Sequence, residues 1–149
     1  MKEITRKKVF VIPYVDDKVM CVQDRETGEW GFISGGVKKN ESFFHAAQRE
    51  LMEETTGLMP YMPSDIHPYD FETNYRPDKL KQIDKLRGEV VVSKYKVYWI
   101  PINHSFVNVL HRSFKPNKEI VAIKVGPYEK FKNRWTVCDQ YFEKQARRL

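Results

Sequence analysis

Cysteine is scarce in this sequence, with only two among 149 residues. Cys21 and Cys138 stand far apart and match no metal-binding or redox-active spacing. The four histidines likewise show no spacing typical of metal ligands. Neither a zinc site nor a dithiol centre is therefore expected, and we predict two buried, reduced thiols in a cytoplasmic protein.

Long apolar runs, internal repeats and low-complexity tracts are also missing. No stretch approaches the roughly 20 apolar residues of a transmembrane helix, and the first ten residues hold no signal-peptide core. We therefore expect no membrane partner. With 41% hydrophobic and 13% aromatic residues, residues 1–149 contain enough apolar material for the core of a single domain.

Basic residues outnumber acidic ones, 26 against 20, which gives a formal charge of +6. A basic surface attracts polyanions such as RNA, nucleotides, dinucleoside polyphosphates and inositol pyrophosphates. An excess of this size is also common as a plain solubility feature, so the charge alone does not choose a partner.

Hydrophobic patterning predicts strands at residues 9–15, 19–23, 30–33, 89–102 and 119–125. Residues 69–75 are predicted as a strand or an ordered loop, and residues 103–117 as a long loop. Helices are predicted at residues 42–55, 78–87 and, in one or two pieces, 128–149. Asn40 is the first candidate for the N-cap of the first helix and Ser42 the second. This order indicates an α/β or α+β chain.

The most informative pattern lies in the first helix. Glu50, Glu53 and Glu54 stand at i, i+3 and i+4, so a helix places their carboxylates on one side of a single turn. Such like charges repel unless a cation offsets them, and hard divalent ions bind oxygen ligands, often together with substrate phosphates. The helix therefore indicates a metal-dependent enzyme acting on a phosphorylated substrate; a solvated acidic face is the alternative.

The residues around these glutamates follow a fixed order. With defined spacings, the chain presents Gly35, Glu41, Arg49-Glu50, Leu51, Glu53-Glu54 and Gly57-Leu58. This series resembles the Nudix box of the Nudix hydrolase family. It departs from the family pattern at Ser34, where proline is usual, and at Thr55-Thr56, where one residue is usual. We expect the extra threonine to give a fraying last turn, ended by a left-handed Gly57.

The resemblance implies the Nudix fold, a mixed β-sheet sandwiched between α-helices in the α/β class. It also implies cleavage of the pyrophosphate in a nucleoside diphosphate linked to a group X, with Mg²⁺ or Mn²⁺ as the cofactor. It assigns as metal ligands Gly35, Glu50, Glu53 and Glu54, the glycine through its carbonyl, for which Gly36 is the alternative. Arg49 is expected to pair with a nearby carboxylate and orient the glutamates.

Members of the family often take a further carboxylate from a loop before a late strand. Glu119 fits this position as a metal ligand or as the general base for the attacking water, although a plain strand-edge glutamate is an equal alternative and Glu50 also remains open as the base. For substrate contacts we single out Arg25, Trp30, Lys38, Arg76 and Lys79. An aromatic ring can stack on a base and cations can bind phosphates, but each is also an ordinary core or surface residue.

Two functions remain open. The first is hydrolysis of capped RNA, a dinucleoside polyphosphate, a nucleotide sugar, a modified nucleoside triphosphate or an inositol pyrophosphate. The second is a catalytically weak Nudix-like module that binds nucleotides or RNA. Retention of the three glutamates together with Arg49 favours hydrolysis. Nothing in the sequence requires a dimer.

Overall fold

The elements described below come from a computed structural model, which describes residues 2–74 and 89–147. The strands are β1 (Lys2–Val15), β2 (Lys18–Asp24), β3 (Trp30–Gly31), β4 (Ile33–Gly36), β5 (Tyr69–Asn74), β6 (Glu89–Pro101) and β7 (Ile120–Gly126). The helices are α1 (Phe43–Glu54), α2 (His104–Ser113) and α3 (Thr136–Arg147), together with a 3-10 turn at Tyr128–Lys130.

The described strands form one mixed sheet. Its main order is β3-β2-β1-β6-β5, while β4 pairs with β1 and β7 with β2. β1 and β6 run parallel, from Lys2 opposite Glu89 to Tyr14 opposite Pro101. The other pairings are antiparallel. The long β1–β6 pair is thus the spine on which the shorter strands are placed.

The two faces of the sheet carry two separate cores, because side chains alternate along β1. Val9 and Val11 belong to a cluster with the buried face of α1 and with Leu110 of α2. Phe10 and Ile12 belong to a second, aromatic-rich cluster with α3. Helices therefore cover both faces, which confirms the predicted sandwich of a mixed sheet between helices.

β4 and α1 together position the glycine pair and the glutamates. β4 pairs antiparallel with β1, with Gly35 opposite Val9 in the middle of the sheet. α1 then begins after Ser42, whose hydroxyl accepts a hydrogen bond from the backbone N–H of His45 at 3.1 Å. Ser42, not Asn40, is thus the N-cap, and Asn40 instead takes a left-handed conformation with φ of 65°.

Several boundaries differ from the sequence prediction. The predicted loop at residues 103–117 contains α2, whose N-cap Asn103 accepts from the backbone N–H of Phe106 at 2.8 Å. Phe106, Val107 and Leu110 recur at helical spacing and pack on the first cluster, which stabilises this short helix. The predicted strand at residues 30–33 is divided between β3 and β4 at Phe32. The predicted helix at residues 78–87 lies outside the described residues.

Both cysteines are free and buried. Burial raises the pKa of Cys138 to about 12, so this side chain is a protonated thiol. Within residues 2–74 and 89–147, no helix combines the length and the hydropathy needed to span a bilayer.

Candidate active site

Gly35 is in close contact with the side chain of Glu50. A Cβ added at Gly35 would lie only 2.7 Å from Glu50 Cγ and closer still to its carboxyl group. No ordinary side-chain contact is that short. Glycine is therefore required here because the Glu50 carboxyl group occupies the space that any other side chain would need. Glu50 itself is buried, with 7% of the residue exposed.

Arg49 connects this carboxylate to the turn after β4. Its Nε and Nη2 donate to the two carboxylate oxygens of Glu41, each at 2.9 Å. Its Nη1 donates to Glu50 Oε1 at 2.7 Å, and Nη2 also donates to the carbonyl of Gly36 at 2.9 Å. The hydrogen bonds from Arg49 lower the pKa of Glu41 to about 2. The bidentate pairing fixes the guanidinium, which in turn orients Glu50.

Glu54 is the second buried carboxyl group. Its Oε2 accepts a hydrogen bond from the backbone N–H of Ser34 at 3.1 Å. Burial raises the pKa of Glu54 well above its usual value, and the charge of Glu50 adds to this effect. Burial also raises the pKa of Glu50, against the opposing effect of Arg49. Two adjacent buried carboxyl groups thus disfavour negative charge on each other unless a cation stabilises them.

Glu53 is not gathered with the other two glutamates. Its side chain is 52% exposed, and its Oε2 lies 3.6 Å from Arg49 Nη1. Across residues 2–74 and 89–147, no three acidic, histidine or cysteine side chains are already gathered closely enough to hold a metal ion. The structure therefore brings Glu50 and Glu54 together, as the helical spacing predicts, and leaves Glu53 turned toward Arg49.

The end of α1 is fixed, which corrects the expectation of a fraying last turn. Thr55 is fully buried, and its hydroxyl donates to the carbonyl of Leu51 at 2.7 Å and accepts from the backbone N–H of Met59 at 3.1 Å. The extra residue, Thr56, takes a left-handed conformation with φ of 54°, followed by Gly57 with φ of 81°. The left-handed Gly57 was predicted; the buried threonine was not.

The loop before β7 is tied to this helix end through Asn117. Its Nδ2 donates to Thr56 Oγ1 at 3.1 Å and to the carbonyl of Glu53 at 3.3 Å. Its Oδ1 accepts from the backbone N–H groups of Glu119 and Ile120, at 3.0 and 2.9 Å. The charge of Glu119 raises the pKa of both Glu50 and Glu54. The charge of Glu119 is thus felt at both buried carboxyl groups, and its role as a metal ligand or general base stays a prediction.

A cavity of about 230 Å³ opens beside Glu54. Its lining includes Ser34 and Glu54, the aromatic side chains of Phe32 and Trp135, and the acidic residues Asp24, Glu26 and Glu29. This volume is below the roughly 300–1,000 Å³ of sites that enclose whole drug-sized ligands, so it suits one ring-sized part of a larger molecule. These lining residues are distant in sequence, and no short motif marks them.

The residues singled out for substrate contact have different environments. Arg25 donates twice to the carbonyl of Asn117, at 3.1 and 2.8 Å, and thereby supports the loop of Glu119. Trp30 is half-buried against Phe131, with ring centroids 5.3 Å apart, and Trp135 rather than Trp30 lines the cavity. Lys38 is exposed in the loop after β4. Arg76 and Lys79 lie outside the described residues.

The donor set fits a hard divalent cation. Carboxylate oxygens are the ligands that Mg²⁺ and Mn²⁺ bind, and Glu50 and Glu54 present two of them in a buried position. The bare Cα of Gly35 leaves the Glu50 carboxyl group the room to occupy that position. Glu53 and Glu119 are exposed, so their side chains have room to turn toward an ion bound by the pair.

Comparison with known proteins gives consistent matches. The family model described as NUDIX domain matches residues 4–144. ADP compounds hydrolase NudE of Escherichia coli (strain K12) is 36% identical over 58 residues, which cover 36% of this chain and 31% of that protein. This chain thus matches about a third of the length of that relative.

Solved structures resemble the whole chain. The MutT protein of Methanosarcina mazei Go1 has a TM-score of 0.68 at 16% identity, covering 99% of this chain and 97% of that one. The NUDIX domain of Shewanella oneidensis NrtR, complexed with ADP ribose, has a TM-score of 0.61 at 16% identity, covering 99% and 89%. At these identities the likeness establishes the fold.

Proposed function

Because the chain belongs to the NUDIX domain family of phosphoanhydride hydrolases, we propose that it cleaves the pyrophosphate bond of a nucleoside-diphosphate-linked substrate with the help of Mg²⁺ or Mn²⁺. The observation that carries this proposal is the buried pair Glu50 and Glu54, with Glu50 seated on Gly35 and bonded to Arg49. Two adjacent buried carboxyl groups of raised pKa are costly to the fold. Such a cost is typical of a functional site.

Each residue of the site has a separate task in this proposal. Glu50, Glu53 and Glu54 are the proposed metal ligands, with the carbonyl of Gly35. A bound divalent ion supplies charge neutralisation at the phosphates and a lowered pKa of bound water. Arg49 holds Glu50 in place, and the backbone N–H of Ser34 holds Glu54. Because Glu53 is exposed, it has room to turn from Arg49 toward a shared ion.

Glu119 is the proposed general base or an additional ligand. It follows a loop that Asn117 fixes to the end of α1, and its charge reaches both buried glutamates. A base held by a rigid loop can accept a proton from water while the buried pair stays in place. The cavity lined by Phe32 and Trp135 is the proposed binding site for the ring of the substrate, because aromatic faces stack on bases.

Substitution of single glutamates tests this proposal. Glu54→Gln retains an acceptor for the N–H of Ser34 but removes the negative charge, and Glu53→Gln does the same at the exposed position. We expect the first variant to lose at least about 100-fold in kcat and both to bind Mn²⁺ more weakly than the wild type. Glu129→Gln, at an exposed position in the 3-10 turn, is the matched control.

The assay is product-resolved hydrolysis with Mg²⁺ or Mn²⁺. The panel contains ADP-ribose, a dinucleoside polyphosphate, a nucleotide sugar, a modified nucleoside triphosphate, an inositol pyrophosphate and capped RNA. Undiminished metal-dependent hydrolysis by Glu54→Gln would show that the metal site is elsewhere. Absence of turnover by the wild type on every substrate, with nucleotide or RNA binding retained, would favour the alternative of a catalytically weak binding module.

A further inference from the structure

A strongly basic groove lies at the Gly36 end of β4, whereas the cavity lies at the Ser34 end. It has a volume of about 610 Å³ and runs between the first half of β1 and the loop that follows β4. Its cationic lining consists of Arg6, Lys7, Lys8, Lys38 and Lys39. The volume falls within the range of sites that hold small ligands. The groove is thus separate from the cavity beside Glu54.

The course of β4 explains how the groove forms. β4 pairs with β1 from Ile33 opposite Val11 to Gly36 opposite Lys8. A hydrogen bond from the N–H of Val37 to the carbonyl of Lys7, 2.9 Å long, continues this pairing by one step. Beyond it the chain leaves β1 and turns into α1, so the groove opens between the two segments. Both β1 and the loop after β4 contribute cations, so the basic cluster forms only where the two segments meet.

Among the described residues that line the groove, one is acidic. Glu41 lines it, but both of its carboxylate oxygens already accept hydrogen bonds from Arg49. Among the described residues, no salt bridge joins Arg6, Lys7, Lys38 or Lys39 to a carboxylate. Burial, and next the charge of Arg6, lower the pKa of Lys8. Several cations thus crowd one surface, and an anion would relieve their repulsion.

The groove and the cavity lie at opposite ends of β4. Ser34 lines the acidic and aromatic cavity, Gly36 lines the basic groove, and Gly35 between them contacts Glu50. Two steps along a strand span about 7 Å. Arg49 also joins the two sites, since it donates both to the carbonyl of Gly36 and to Glu50. A substrate lying along β4 would therefore meet opposite charge at its two ends.

We propose that the groove lined by Arg6, Lys7, Lys8, Lys38 and Lys39 binds phosphate groups of the substrate that lie beyond the cleaved pyrophosphate. This inference rests on the proposed function and adds to it the orientation of the bound substrate. The ring of the substrate occupies the cavity, and its phosphate-rich end occupies the groove. The preferred substrates are then chains of more than two phosphates, as in a dinucleoside polyphosphate or at the 5′ end of an RNA, rather than nucleotide sugars.

Inorganic tripolyphosphate in EDTA tests the groove without catalysis. The test variant is Arg6→Gln combined with Lys39→Gln, which removes one exposed cation from each wall. The control is Lys130→Gln combined with Lys132→Gln, which removes the same charge from exposed positions after β7. By titration calorimetry at low salt, we expect the groove variant to bind about tenfold more weakly and with a shallower salt dependence, and the control to change less than twofold.

The second measurement is the ratio of kcat/KM for diadenosine tetraphosphate to that for ADP-ribose. We expect this ratio to fall about tenfold in the groove variant and to stay constant in the control. A parallel comparison of 5′-triphosphate with 5′-monophosphate RNA distinguishes the two sources of the phosphate chain. A larger fall for the RNA pair identifies an RNA 5′ end, and a larger fall for the dinucleotide identifies a small molecule.

Equal loss of tripolyphosphate affinity in both double variants would overturn the inference, since only net charge would then matter. An unchanged kcat/KM ratio in the groove variant would overturn it as well. If the wild type hydrolyses none of these substrates, the proposed function fails, and tripolyphosphate binding still decides whether the groove is an anion site.

Discussion

Replacement of Gly35 by alanine should disable the site while leaving the fold intact. The added Cβ would lie 2.7 Å from Glu50 Cγ, whereas carbon atoms in contact are about 3.5–4.0 Å apart. The carboxyl group of Glu50 lies closer still, so Glu50 must retreat by more than about 1 Å or turn away. A displacement of that size in a catalytic group costs on the order of 100-fold in rate, so we expect kcat/KM to fall by about that factor.

The stability of the Gly35→Ala variant should change little. The described glycines with positive φ are Gly28 and Gly57, so alanine can adopt the backbone conformation of Gly35. The nearest atoms it would meet belong to the Glu50 side chain, which can rotate away at the cost of its hydrogen bond from Arg49. Alanine also restricts the unfolded chain, which offsets part of the cost, and we expect the free energy of unfolding to stay within about 1 kcal/mol of the wild type. Urea unfolding measures this.

Gly36→Ala is the matched control, because a Cβ at this neighbouring position meets nothing within 4 Å. We expect its kcat/KM to stay within about threefold of the wild type. A second test combines Gly35→Ala with Glu50→Asp, which shortens the obstructed side chain by one methylene. We expect the loss of kcat/KM in the double variant to be smaller than the product of the losses in the two single variants. Equal activity of the Gly35→Ala and Gly36→Ala variants would refute the role assigned to the Gly35–Glu50 contact.

The charge of Glu54 and the loop held by Asn117 can each be tested by substitution. In EDTA, Glu54→Gln should melt at a higher temperature than the wild type. Because the folded protein raises the pKa of Glu54 above its usual 4.5, the wild type loses stability as the pH rises from about 4.5 through that raised pKa. The difference in melting temperature should vanish near pH 4 and grow toward pH 7.5; a difference independent of pH would contradict it. Asn117→Ala should lower kcat about tenfold and destabilise the fold by about 1–2 kcal/mol, because the N–H groups of Glu119 and Ile120 lose their acceptor. Asn117→Asp, which keeps that acceptor, should recover part of the kcat, and equal losses in both variants would disprove this reason.

The sequence predicts those parts of the molecule that depend on local spacing. The apolar run at residues 9–15 predicts a strand, and a strand places Val9 and Phe10 on opposite faces, where the structure has the two cores. The i, i+4 spacing of Glu50 and Glu54 anticipates their meeting, because a helix brings such residues together. The spacing does not predict the position of the Glu53 side chain, because that flexible side chain lies toward Arg49.

Features that depend on distant contacts escaped prediction. The segment of α2 is predicted as loop because its apolar residues are scattered without a clear period, and it is stabilised mainly by packing Leu110 into the first core cluster. The cavity combines Asp24 with Trp135, and the groove combines Arg6 with Lys39, so no contiguous pattern marks either site. Thr55 was expected to weaken the helix end because propensity scales cannot show that its hydroxyl is satisfied in a buried position.

The left-handed Thr56 has a consequence for transplanting this active site. Its hydroxyl meets Asn117, whose side chain also sets the start of β7. The longer spacing of the motif and the loop that bears Glu119 thus form a matched pair. A chimera that exchanges only one of them with a protein of ordinary spacing would misplace the loop of Glu119, whereas exchanging both together would preserve its position.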